Sequence, residues 1–171
     1  MSPADAASSP LKDTQRQITE REVMDWMIQS HVFRDLNASD LRPFLQSLQV
    51  LNFKPMDEVI SRGKYSAALY LVTAGRFLVL RPESPAVDPT TTEAELIELD
   101  TFKKGDCFGE YSLIDKKPAS ASVVAAESSQ ALKIPLAAFD TVLMSDYRIA
   151  KTVYHNLLLL LTARLRKSLK V

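Results

Sequence analysis

The sequence predicts an α+β domain, mainly β, in which short strands close into a small barrel or sandwich with helices segregated to its ends. Three observations carry this. Helix-start signals and helical spacing occupy residues 18–48 and 136–169. From Val50 the hydrophobic period shortens towards two. Turn signals, among them Gly63 and Gly75, then cut the middle of the chain into short pieces. With 171 residues there is enough chain for one such domain and a sizeable core.

Taken in order, residues 1–17 are rich in Ala, Ser, Pro and polar side chains and read as a disordered tail. Thr19 and Glu22 have capping-box spacing, and Ile18 with Val23 has the spacing of a hydrophobic staple. Val23, Trp26, Met27 and Ser30 follow on one helical face. Asn37 to Asp40 restarts a helix whose apolar stripe is Leu41, Phe44, Leu45 and Leu48, with Pro43 expected in the first turn. These helices form an N-terminal unit, 18–48. Strands are expected near 51–53, 58–61, 69–74, 76–81 and 95–99, inside a β unit spanning 49–135. Residues 82–92 contain three prolines and three threonines without apolar periodicity, and read as an extended, exposed hairpin loop. A final strand is expected over 129–135. Two C-terminal helices, 136–144 and 146–169, complete a unit covering 136–171. In the second, Ile149, Val153, Leu157, Leu160, Leu161 and Leu165 recur at three- and four-residue steps. Residues 157–161 make it apolar nearly all round, and that surplus calls for a partner. Arg164, Arg166, Lys167 and Lys170 at its end read as solvated charges that complement the helix dipole.

Composition limits the function. Lys plus Arg and Asp plus Glu each number 21, so no net field draws the protein to nucleic acid or an anionic membrane. The longest strongly apolar run, 157–161, is far too short to span a bilayer. Residues 1–10 lack the charged start and apolar centre of a secretory signal. A cytoplasmic protein is therefore expected. Cys107, the single cysteine, excludes an intramolecular disulfide and a multi-cysteine metal site; beside an aromatic it reads as a small buried hydrophobe rather than a redox thiol. His31 and His155 lack metal-ligand spacing, and no nucleophile–base pair or P-loop is present, so no catalytic residue and no metal are expected.

The chemistry concentrates in residues 105–125. Gly105 and Gly109 permit backbone angles and close approaches that side chains forbid. Glu110 then opens a short apolar helical patch of Tyr111, Leu113 and Ile114. Unpaired N–H groups at such a helix start can cradle an anion. Residues 115–120 form a tight connector, and 121–125 return to a buried strand.

This run resembles the phosphate-binding cassette, here 105–122, of cyclic nucleotide-binding domains. Their pattern opens with F-G-E and closes with P-R-A/S-A-T/S followed by V-x-A. The chain supplies Phe108-Gly109-Glu110 and Pro118-Ala119-Ser120-Ala121-Ser122-Val123-Val124-Ala125. The four glycines of the chain fall at family positions, in Val59-Ile60-Ser61-Arg62-Gly63, Leu69-Tyr70-Leu71-Val72-Thr73-Ala74-Gly75 and Gly105-Asp106-Cys107-Phe108-Gly109-Glu110. Two positions depart. Ala119 stands where the family has the arginine that pairs with the cyclic phosphate, and Pro55-Met56-Asp57 occupies a turn where the family often has glycine.

The resemblance implies a double-stranded β-helix, a jelly-roll-like β-roll with N-terminal helices and two C-terminal helices. It implies ligand contacts from Phe108, Gly109, Glu110, Tyr111, Ser112, Ala119, Ser120 and Ala121, with Glu110 accepting from a ribose hydroxyl and the N–H groups of Gly109, Tyr111 and Ser112 facing phosphate. The bland alternative makes Glu110 a helix-capping carboxylate, Ser120 a strand-entry residue, and the glycine turn merely a turn. Without an arginine at 119, affinity for a cyclic nucleotide is expected to be either weak or rescued by another cation, for example Arg62, Lys64, Arg76, Arg81 or Lys117. Thr152 and Asn156 could reach a base from the long helix, or form a polar face.

The expected function is a regulatory sensor for cAMP or cGMP, weakened at Ala119, that signals through movement of the C-terminal helices. The alternative is a scaffold without nucleotide, which homodimerises or captures a partner protein through the long helix. No helix-turn-helix follows the long helix in this sequence, so a stand-alone module without nucleic-acid or membrane partners is expected.

Overall fold

A computed structural model describes residues 18–82 and 96–169. In chain order the elements are α1 (Glu20–Gln29), α2 (Ala38–Leu45), β1 (Gln49–Phe53), β2 (Glu58–Ile60), β3 (Ala68–Ala74), β4 (Arg76–Pro82) and β5 (Leu96–Lys103). There follow β6 (Cys107–Phe108), α3 (Glu110–Asp115), β7 (Ser122–Ala125), β8 (Ser129–Pro135), α4 (Leu136–Ser145) and α5 (Tyr147–Ser168). The disordered reading of 1–17 and most of the 82–92 loop lie outside the described residues, as does Lys170.

The helix starts form as the sequence predicts. Thr19 accepts from the Glu22 N–H while Glu22 accepts from the Thr19 N–H at 3.0 Å, which closes the capping box. Asn37 and Asp40 do the same for α2. Pro43 is a correction. With Asn37 as the cap, it falls in the second turn, two residues before the helix ends at Leu45. The lost N–H is tolerated there because the fully buried Leu41 and Phe44 hold the short helix down.

Among the described residues eight strands make two antiparallel four-stranded sheets, ordered β1-β8-β3-β6 and β2-β7-β4-β5, so the mainly β, roll-like architecture with helices at both ends holds. The two-residue β6 has no counterpart in the sequence reading. It is too short to show a period, and its pairing, Tyr70 with Phe108 and Leu71 with Cys107, is set by the fold.

Two apolar cores result, and β3 divides them. Its Leu69 and Leu71 join Leu132 and Ile134 of β8 against Met27, Phe33, Phe44, Phe139, Val153 and Leu157 of the helical segments. Its Ala68, Tyr70 and Val72 point the other way, into the roll, against Phe77, Phe102, Phe108, Val123 and Ala131. Strand β3 is thus buried on both faces, which is why its sequence reads as a continuous apolar run.

At Pro55-Met56-Asp57 the chain turns tightly from β1 to β2. Met56 adopts φ +71°, its N–H donates to the Ala125 carbonyl at 2.8 Å, and the residue is 73% exposed. The methionine thus accepts the left-handed conformation that glycine adopts at less cost.

Candidate functional site

The site is built on an aromatic column inside the roll. Phe108 stacks between Tyr70, at 5.0 Å and 11° between planes, and Phe102, at 5.5 Å and 9°. Phe77 tilts against it at 5.2 Å. This packing fixes where β6 ends and therefore where the next two residues lie.

Gly109 follows with φ +89° and caps α3. A Cβ there would overlap the Ala68 carbonyl oxygen and sit 3.2 Å from the Ser66 Oγ. Torsion and space therefore demand glycine independently. Glu110 is the first residue of α3 and is 2% exposed. The other end of the cassette is tied to the turn before β3. The Gly63 N–H donates to the Ala119 carbonyl at 2.8 Å, and the Ala119 N–H donates to the Lys64 carbonyl at 2.9 Å. The Ser112 hydroxyl donates to the Lys117 carbonyl at 3.1 Å and closes the connector.

Phe108, Gly109, Glu110, Tyr111, Ser112, Ala119, Ser120 and Ala121, all eight residues singled out from the sequence, line one cavity of about 320 Å³. That is within the range of small-molecule pockets. Ile60, Val79, Phe102 and Val123 supply apolar walls, and Leu161, Arg164 and Leu165 of α5 close one side.

Three expectations for this region need correction. Arg164 is not a solvated end charge: its side chain is 17% exposed, its guanidinium donates to the Glu110 carboxylate and the Cys107 carbonyl, and it lies 4.5 Å from the centre of the Phe102 ring. Lys167, by contrast, stays exposed at the helix end while pairing with Asp100. None of Arg62, Lys64, Arg76, Arg81 and Lys117 lines the cavity; Arg76 pairs instead with Glu127 at 3.3 Å. Among the described residues the charged side chains that line it are Asp100, Glu110 and Arg164. Asn156 is 4% exposed and donates to the Val32 and Arg34 carbonyls, so it braces α5 against the α1–α2 connection and does not face the cavity. The Thr152 hydroxyl donates to the Arg148 carbonyl one turn back.

Electrostatically, burial pushes the Glu110 carboxyl above the usual carboxylate range while the Arg164 charge pulls it back. Burial also pushes the Cys107 thiol far up, and Glu110 adds to that, so the thiol is held neutral and inert. No group of three or more His, Cys, Asp and Glu side chains among the described residues is arranged to hold a metal. Among the same residues no helix is long and apolar enough to cross a membrane.

The fold is a two-sheet roll with helices at both ends, and its cavity lies between a glycine-opened short helix and a long C-terminal helix. The family model described as "Cyclic nucleotide-binding domain" matches residues 50–146, and the chain belongs to that family. It is 33% identical over 139 residues to the cyclic AMP receptor protein of Thermus thermophilus, covering 81% of this chain and 59% of that protein. It is 27% identical over 143 residues to a cGMP-dependent protein kinase of Toxoplasma gondii, covering 69% of this chain. The chain thus spans 59% of one curated relative and 13% of the other. Among solved structures, a cyclic nucleotide-binding domain from Methylobacillus flagellatus superposes with a TM-score of 0.72 at 23% identity, covering 86% of this chain and 80% of that one.

Proposed function

We propose that the cavity is a sensory site for a purine cyclic nucleotide, cAMP or cGMP, and that occupancy is read out through α5. The observation that carries this is the convergence of both ends of the cassette on one cavity, with Gly109 and the buried Glu110 in its lining, in a chain of this family. Apolar walls suit the base, Glu110 suits the ribose hydroxyl, and the N–H groups at the start of α3 suit the phosphate. Function here is binding and relay, without catalysis.

Ala119 sets the affinity low. A hydrogen bond to a charged group contributes about 1.5–3 kcal/mol, so restoring the cation with Ala119→Arg should tighten binding by about tenfold to a hundredfold. The test is calorimetric titration of wild type and Ala119→Arg with cAMP and then cGMP. Weak binding that strengthens in the variant supports the reading; silence of both proteins towards both nucleotides refutes it.

A second reading, a homodimer through α5, is favoured by one observation. Tyr147, Tyr154, Leu158 and Leu165 are exposed and recur at steps of seven, four and seven, the seam of a coiled coil. Sedimentation equilibrium tests it: Leu158→Glu should convert a dimer to monomer, and a wild-type monomer at high concentration refutes it.

A further inference from the structure

The last three turns of α5 contain no fully buried residue, because everything after Leu157 is exposed or half-buried. Leu160 still packs on the helical core, but beyond it the side chains that fasten the helix to the roll by polar contacts are Arg164 and Lys167. The two tethers are unequal. Lys167 is 70% exposed, and such a pair is weak and screened by salt. Arg164 reaches an almost completely buried carboxylate, a backbone carbonyl and an aromatic face together. It engages Glu110, the carboxylate that the proposed function assigns to the ligand's hydroxyl.

We propose that Arg164 is an intramolecular occupant of the Glu110 subsite, so that docking of the end of α5 and binding of a hydroxyl-bearing ligand at Glu110 exclude one another. This inference rests on the reading of the cavity as a nucleoside cyclic phosphate site. With α5 docked, Glu110 is covered and its side chain is only 3% exposed, so a ligand has no free carboxylate to meet. A ligand that donates to Glu110 displaces the guanidinium and frees residues 161–168. The coupling is reciprocal: whatever holds α5 down lowers ligand affinity by the factor by which ligand loosens α5. The docked population also reduces apparent affinity in proportion, so removing the tether raises it.

The test uses the full chain with Arg164→Gln, Arg164→Lys and Glu110→Gln, read by amide hydrogen exchange without ligand and by calorimetry with cAMP. Arg164→Gln and Glu110→Gln should each speed exchange across 161–168 severalfold, with β8 unchanged. The double variant should show no increase beyond that of Arg164→Gln, since Glu110 has no guanidinium left to hold once Arg164 is replaced. Arg164→Lys should restore part of the protection. Arg164→Gln should bind cAMP at least tenfold more tightly than wild type. Unchanged or weakened cAMP affinity in Arg164→Gln, with Ala119→Arg binding normally, overturns the proposal while leaving the cavity's function intact. If cAMP binds none of these proteins, including Ala119→Arg, the nucleotide reading fails; faster exchange in both tether variants then still supports the clamp, and unchanged exchange overturns it.

Discussion

Replacing Gly109 by alanine separates two costs that a glycine can hide. The torsional cost is that of holding an L-residue at φ +89°, about 1–2 kcal/mol, partly offset by the entropy that alanine removes from the unfolded chain. The steric cost comes from a Cβ driven into the Ala68 carbonyl of β3, a backbone atom that no rotamer change can move aside. Gly63 provides the control. It has φ +79°, but a Cβ there meets nothing within 4 Å. Gly63→Ala should therefore cost about 0.5–1.5 kcal/mol, and Gly109→Ala about 3 kcal/mol or more once overpacking is added. Urea unfolding of both variants, with the slope checked against wild type, measures the difference. At this size the extra cost should lower Tm by about 2–4 °C per kcal/mol. If Gly109→Ala falls within about 0.5 kcal/mol of Gly63→Ala, the close approach of β3 to the cassette is wrong, and with it the geometry of the cavity.

Three further outcomes are expected. Met56→Gly should stabilise the fold by about 0.5–1 kcal/mol in the same urea assay, since glycine removes the strain at φ +71° and the exposed side chain loses little packing. The Arg148 guanidinium beside Asp40 and the Asn37 N–H hold its carboxyl below the ordinary 3.8. That pairing therefore contributes stability fully present above about pH 4, lost as pH falls through the depressed folded value, and an acid titration of Asp40→Asn should show a shallower loss there. Cys107 should resist thiol reagents in the native protein and be modified at a rate that tracks unfolding, as mass spectrometry with and without urea can measure.

Most of the fold is legible in the sequence because its signals are local. The capping boxes at Thr19 and Asn37 use residues three apart, and β8 shows its own bounds. The four glycines mark turns that the structure gives positive φ, from +74° to +92°. The cassette is legible for the same reason, as one continuous run. Arg164 was missed because its partner lies 54 residues upstream, and only the folded topology brings the two together. A signal was nevertheless present. Ile149, Val153 and Leu157 define the buried stripe of α5, the half-buried Leu160 continues it, and the next position on it is 164. A charged residue continuing a buried stripe demands a buried counter-charge, whereas one at a helix end invites the solvated reading. The same stripe includes Asn156, whose burial explains why it serves the backbone and not a ligand.

The position of β3 between the two cores has a consequence for how the protein can vary. A one-residue insertion or slip in this strand would send Tyr70 and Val72 among the helices and Leu69 and Leu71 into the roll, exchanging the contents of both cores at once. Neither interior can be repacked in isolation, because each presses on a shared wall only one backbone thick. Lineages of this domain should therefore accept length changes at the β4–β5 hairpin and at the chain ends and refuse them in β3. The two interiors should also melt together, so a probe in α4 and a probe in β4 would report a single transition.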